Sequence, residues 1–105
     1  MNCSDVITGY LEAAGIKHIF GYPGDPSIEL LESARRNGIE FVLARREGTD
    51  GLMAVAYGQI TGKPGVCLST LGPGSSNLVN AVASAMLDRT PMIALSGQID
   101  GKREH

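Results

Sequence analysis

Apolar residues recur along the chain with two different periods, and the period predicts the secondary structure of each segment. Recurrence every three to four positions predicts a helix, and a short continuous apolar run predicts a strand. Helices and strands therefore alternate along the whole chain. The predicted elements are a helix at 6–14, a strand at 18–21, a helix at 28–36, a strand at 39–44, a helix at 47–61, a strand at 65–69, a helix at 78–87 and a strand at 91–95.

Polar residues and glycines at the segment boundaries support these helices. Ser4 and Asp5 are predicted to cap the first helix, and Ser27 is predicted to cap the second. Glycine is the usual residue just beyond a helix because it adopts the left-handed backbone conformation without strain. The predicted helix ends are at Gly15, Asn37-Gly38 and Gly62.

Regular alternation of helices and strands is typical of one fold class. It predicts an α/β domain with a doubly wound parallel sheet and helices on both faces. The strands at 65–69 and 39–44 are continuous apolar runs, as expected of buried strands. The helix at 78–87 is apolar nearly all round, so we expect it to be buried against a neighbouring element or subunit. A chain of 105 residues has room for a single domain.

Composition and charge exclude several classes of function. The formal net charge is −2, and no basic stripe is present, so nucleic acid is not an expected partner. No apolar run approaches the roughly 20 residues of a membrane helix. Cys3 and Cys67 do not make a disulfide framework, and Met1 to Ile7 lacks the features of a signal peptide, so we expect a cytoplasmic protein.

Glu47 is the first candidate for chemistry, because it follows a predicted strand and opens a predicted helix. Open α/β sheets bind their ligands at such strand-to-helix junctions. A carboxylate in the first turn is also stabilised by the helix dipole, so, taken alone, Glu47 is better explained as a capping residue. Two further loops follow strand ends at 21–24 and 71–74, and we expect all three to cluster at one edge of the sheet.

Four motifs in the same order resemble those of one enzyme family. They are Gly21-Tyr22-Pro23-Gly24, the helix opened by Glu47, Leu71-Gly72-Pro73-Gly74 with Asn77, and Asp88-Arg89-Thr90-Pro91 followed by Ser96-Gly97-Gln98. Together they resemble the pyrimidine-binding domain of thiamine-diphosphate enzymes, of the acetolactate synthase and pyruvate oxidase type. The resemblance extends from Gly21 to Gln98, which is nearly the whole chain.

The resemblance implies a catalytic role for Glu47 and binding roles for the loops around it. In that family the acid that opens this helix hydrogen-bonds N1′ of the cofactor's aminopyrimidine ring and so assists removal of the C2 proton. These residues also have explanations that involve no cofactor. Turn geometry accounts equally well for the glycines of the loops, packing accounts for Tyr22, and helix capping accounts for Asn77. The implied cofactor-binding residues are Glu47, Tyr22, Pro23, Gly24, Gly72, Pro73, Gly74 and Asn77.

The resemblance also implies what lies outside these residues. Residues 1–105 correspond to a pyrimidine-binding domain that is incomplete at its C-terminal end. The central domain and the domain that holds the diphosphate and Mg²⁺ would be absent, so no metal ligand is expected here and the isolated chain should be inactive. The implied substrate is a 2-oxo acid, decarboxylated or joined to a second carbonyl. The complete enzyme would be a homodimer or homotetramer with shared sites, with or without FAD.

Two other interpretations are compatible with the residues. One is a stand-alone pyrimidine-binding subunit that pairs with a separate diphosphate-binding chain. The other is a dinucleotide-binding module, because the glycine-rich segment Gly72–Asn77 follows a strand and precedes a helix. That segment lacks the third glycine of the dinucleotide fingerprint, and no acid ends the next strand to bind a ribose.

Overall fold

The computed structural model describes residues 2–24, 27–70 and 72–97, and the alternation of helices and strands is confirmed there. The elements are α1 (Cys3–Ala13), β1 (His18–Gly21), α2 (Ile28–Arg36), β2 (Glu40–Leu43), α3 (Glu47–Thr61), β3 (Gly65–Ser69), α4 (Pro73–Ser76), α5 (Val79–Asp88) and β4 (Met92–Ser96).

The four strands form one parallel sheet in the order β2-β1-β3-β4, which confirms the doubly wound α/β fold. From β1 the chain first moves outward to β2 and then returns to the other side of β1 as β3. The strand order therefore reverses between β1 and β3. In open α/β sheets the crevice for a ligand lies at such a reversal, beyond the carboxyl ends of the strands.

The two faces of the sheet are covered by different helices. α1 packs against α2 on one face, where the larger apolar side chains form the main core. α3 packs against β3, β1 and α5 on the other face, where the buried cluster is small. The main core comprises Leu11, Ile16, Ile19, Ala34, Ile39, Val66 and Leu68. The second cluster comprises Ala54, Cys67 and Leu78, with Phe20 and Met92 packed against it.

Glycines allow α3 to approach its neighbours unusually closely. A methyl group on Gly65 of β3 would collide with the backbone of Ala54, and one on Gly51 would collide with Ala81 of α5. Further along α3, a methyl group on Gly58 would lie 2.6 Å from the carbonyl oxygen of Pro91. The backbone of α3 therefore lies almost directly on the sheet.

The helix caps differ in part from those predicted. α1 begins earlier than expected, because Asn2 is its N-cap and forms a reciprocal capping box with Asp5, with N–O distances of 2.9 and 3.2 Å. Ser4 is consequently not a cap. Ser27 does occupy the N-cap of α2, but its hydroxyl bonds the backbone of Gly24 rather than the helix. Gly15, Gly38 and Gly62 end their helices in the left-handed conformation, as predicted.

One prediction of burial was wrong. β2 is an edge strand rather than a buried one, and Leu43 on it is 63% exposed. The predicted last helix is preceded by a separate short helix, α4, and within this chain α5 buries only Ala81 and Ala85. Its exposed apolar residues are Val79, Val82, Met86 and Leu87. No helix in the described ranges has both the length and the apolar character needed to cross a membrane.

Candidate functional site

Glu47 is the first residue of α3 and lies where β2 meets the carboxyl edge of the sheet. Arg46 is the N-cap with extended backbone, at φ −155° and ψ 151°. The end of β2 is tied to β1 by a bond from the amide of Ala44 to the carbonyl oxygen of Gly21, at 3.0 Å. Glu47 is buried, with only 7% of its surface exposed.

The Glu47 carboxylate lies between Gly74 of α4 and Asn77 of the turn that follows α4. Asn77 donates from Nδ2 to Oε1 of Glu47 at 3.2 Å. Gly74 lies beside the other oxygen, since a Cβ on this glycine would be 3.3 Å from Oε2. One carboxylate oxygen is therefore oriented by an amide, and the other faces backbone that carries no side chain.

The loop after β1 meets the loop after β3 at the same place. A Cβ on Gly24 would lie 2.7 Å from Cβ of Thr70, and one on Gly74 would lie 2.7 Å from Cγ2 of the same threonine. Ser27 fixes the first loop by accepting from the amide of Gly24 at 3.1 Å and donating to its carbonyl at 2.8 Å. The expected clustering of the three loops is confirmed for their described residues.

The predicted site residues fall into two groups. Glu47, Gly24, Gly74 and Asn77 are brought together around Thr70. The other four, which are Tyr22, Pro23, Gly72 and Pro73, are exposed at the rim of the same edge. Leu71 and Gln98, which belong to the predicted motifs, lie outside the described residues.

The helix-capping role considered for Asn77 is wrong, because Asn77 does not cap α5. Ser75 lies inside α4, where its hydroxyl donates to the carbonyl of Thr70 at 3.2 Å and contacts the hydroxyl of Ser96. Asn77 directs its amide to Glu47, and Leu78 occupies the N-cap of α5. The break between α4 and α5 thus frees the Asn77 side chain to orient the carboxylate.

Asp50, one turn after Glu47 on α3, was missed by the sequence analysis. It is 0% exposed, and neither carboxylate oxygen has a hydrogen-bond partner among the described residues. Burial, and then the charge of Glu47, raise the pKa of Asp50 to about 7. Burial, and then the charge of Asp50, raise the pKa of the Cys67 thiol to about 12. An acid three positions after Glu47 in a helix otherwise built of small and apolar residues was the available signal.

A buried carboxylate at the carboxyl edge of an open parallel sheet, beside the loops that follow the strands flanking its reversal point, is typical of small-molecule or cofactor-binding domains. The sequence as a whole, from residue 1 to residue 105, matches the family described as thiamine pyrophosphate enzyme, N-terminal TPP binding domain. The chain therefore belongs to the thiamine pyrophosphate enzymes, as their N-terminal cofactor-binding domain.

Curated relatives are acetolactate synthases. The large subunit of isozyme 2 from Escherichia coli K12 is 37% identical over 99 residues, which cover 94% of this chain and 18% of the relative. Acetolactate synthase 3 of Brassica napus is 40% identical over 97 residues, and acetolactate synthase 2 of Nicotiana tabacum is 42% identical over 97. Each alignment covers 91% of this chain and 15% of the plant enzyme. The chain thus spans less than a fifth of these relatives.

Proposed function

We propose that this chain forms the pyrimidine-binding half of a thiamine-diphosphate active site, with Glu47 as its catalytic residue. The observation that carries the proposal is the Glu47 carboxylate, 7% exposed at the carboxyl edge of the sheet and held by Asn77. A buried carboxylate that is fixed in direction can share a proton with a ring nitrogen in a site from which water is largely excluded.

The residues present fit the aminopyrimidine ring. A Cβ on Gly74 would lie 3.3 Å from Oε2 of Glu47, so only glycine leaves that oxygen open to a flat ring. Asn77 donates to Oε1, so the second oxygen would be available to a protonated N1′ of the bound cofactor. When bound, thiamine diphosphate supplies a carbon nucleophile and an electron sink. The contribution of Glu47 is to hold the proton at N1′.

The finer assignments follow from membership of the family and from the relatives. We propose that the substrate is a 2-oxo acid, and that decarboxylation followed by carboligation of the acetolactate synthase kind is the reaction. The described residues include no group of three potential metal ligands. In this proposal the diphosphate and Mg²⁺ are held by another domain, in the same polypeptide or in a partner chain, and a homo-oligomer shares its sites between subunits. FAD would bind outside this chain.

Exchange of the C2 proton of thiamine diphosphate tests the role of Glu47. In the native polypeptide that carries residues 1–105, Glu47→Gln should slow this exchange by about 10² or more, because the amide cannot take up the proton. The control is Glu29→Gln, which makes the same change at an exposed acid of α2. Unchanged exchange in a folded Glu47→Gln protein would show that Glu47 does not have this role.

The dinucleotide-binding alternative is disfavoured by the local structure. A dinucleotide fingerprint places its pyrophosphate at the N-terminus of a full helix. Here the glycine-rich loop leads into α4, which has only four residues and ends before α5 begins. Titration with NAD, with no binding expected, is the measurement that separates the two functions.

A further inference from the structure

Asp50 has an unusual position for an acid that no hydrogen bond stabilises. It lies in the first turn of α3, packed against β3, and is 0% exposed. Neither carboxylate oxygen finds a donor among the described residues. An ionised carboxylate in such a place is strongly disfavoured, whereas a protonated carboxyl costs far less.

Glu47 is the ionisable group that acts most directly on Asp50. The two residues are three positions apart on one helix, which places their Cβ atoms about 5–6 Å apart. Both acids lie in the first turn of α3, but Glu47 has a hydrogen-bond donor in Asn77, whereas Asp50 has none among the described residues. Two acids this close do not both ionise freely, and the negative charge settles on the better stabilised one.

The charged and titratable groups on the surrounding elements do not take the place of Glu47 as the ionisable group coupled to Asp50. The Cys67 thiol on β3 faces Asp50, and its pKa of about 12 keeps it neutral at physiological pH. Arg46 is exposed, with its guanidinium beside Gly48. The remaining groups on the packed elements are at the far ends of β1 and α5, and they are His18, Asp88 and Arg89.

We propose that Asp50 is a positioning residue that holds the proton of the Glu47–Asp50 pair, so that the pair carries one negative charge and that charge resides on Glu47. The part of this proposal that concerns the cofactor rests on the proposed function of Glu47. When Asp50 ionises, a second negative charge beside Glu47 strengthens the hold of Glu47 on a shared proton. The sharing of a proton between Glu47 and N1′ of a bound cofactor would then depend on the charge of Asp50, which is itself fully buried.

Carboxyl ¹³C NMR of the native polypeptide without cofactor tests the pair directly. We expect Asp50 to titrate at a pH of about 7, and we expect the Glu47 resonance to show a second inflection at that pH. Asp50→Asn, which mimics the protonated form, should abolish the second inflection. The control Glu12→Gln, at an exposed acid of α1, should leave it in place. Ionisation of Asp50 below pH 5, or a single step for Glu47 in the unsubstituted protein, would overturn the proposal.

The pH profile of C2 proton exchange tests the consequence for the cofactor. The unsubstituted protein should show a step in rate where Asp50 titrates. Asp50→Asn should keep the rate at pH 6 within about twofold and lose the step, which a merely structural role would not produce. A step that persists in Asp50→Asn contradicts the proposal. A coupled NMR titration together with normal exchange in Glu47→Gln would instead contradict the proposed function and leave the pair intact.

Discussion

The two faces of the sheet bury polar groups in opposite ways. Between α1 and α2, Thr8 and Ser33 are both 0% exposed, and their hydroxyls bond each other at 2.7 Å. Asn37 and Asp5 complete that network, at 3.0 Å to Thr8 and 2.6 Å to Ser33. On the opposite face Asp50 is equally buried and has no partner among the described residues.

The two faces of the sheet also differ in the size of the residues that pack against them. The α1/α2 face is filled by larger side chains such as Leu11, Ile19 and Leu68. The α3/α5 face relies on glycine and alanine, so that backbone lies against backbone. The α1/α2 face therefore stabilises the fold, and its buried polar groups are hydrogen-bonded. The α3/α5 face places Glu47 at the sheet edge. The same face buries Asp50, an acid whose burial costs stability.

The largest expected effect tests the close packing of α3 on β3. Gly65→Ala should lower the free energy of unfolding by about 3 kcal/mol, because its methyl group would collide with the backbone of Ala54, which cannot move aside as a side chain can. Urea unfolding at constant pH measures the loss.

The matched control for that substitution lies on the other face. Gly9 is inside α1, and a Cβ there would meet nothing within 4 Å. Gly9→Ala should therefore raise the free energy of unfolding by about 0.5–1 kcal/mol, because alanine favours the helix. Equal effects at the two positions would contradict the difference between the faces.

A smaller effect tests the cost of burying Asp50. Its pKa in the folded chain, about 7, is above the ordinary value of 3.8, so between these values the folded state binds more protons than the unfolded state. Stability should therefore fall as pH rises from about 4 to about 7 and then level off. Asp50→Asn should remove this slope and be more stable than the unsubstituted protein at pH 8.

Unfolding at pH 5 and pH 8 measures that prediction. The satisfied face supplies the contrast, because the pKa of Asp5 is lowered, chiefly by its hydrogen bond from Ser33. Asp5 therefore stabilises the fold above its unfolded pKa and loses that contribution in acid, opposite in sign to Asp50. Asp50→Asn with the same pH slope as the unsubstituted protein would show that Asp50 is ionised when folded.

The smallest effect concerns the orientation of Glu47. Asn77→Ala removes the donor at 3.2 Å from Oε1 and should slow C2 proton exchange about tenfold, as expected for loss of one hydrogen bond to a charged group. Asn80→Ala, at an exposed position on α5, should leave the rate unchanged. If both substitutions act alike, the turn between α4 and α5 contributes through folding and does not orient the carboxylate.

The fold could be predicted from sequence because its signals are local. Apolar periodicity gave the order of the elements, and glycines such as Gly15 and Gly62 marked helix ends. The edge position of β2 depends on strand order, which periodicity does not report. The break before α5 arises from the turn at Asn77 and Leu78, inside a segment that is otherwise helical in pattern.

The candidate site could be predicted only in part, for a similar reason. Glu47 and Gly74 were identified from their place after strands and from the motifs. The bond from Asn77 to Glu47 joins residues 30 positions apart, so no local pattern reveals it. The burial of Asp50 depends on which side of α3 faces β3, and an acid in a first helical turn is usually explained by the dipole alone.

The most direct test of the central claim is the ¹⁵N NMR shift of N1′ in labelled thiamine diphosphate bound to the native polypeptide. If Glu47 holds a proton at N1′, the bound cofactor should show the shift of a protonated ring nitrogen at a pH where the free cofactor is unprotonated. Glu47→Gln should return N1′ to the unprotonated value, and Glu29→Gln should not. A protonated N1′ in the Glu47→Gln protein, or an unprotonated one in the unsubstituted protein, would contradict the account.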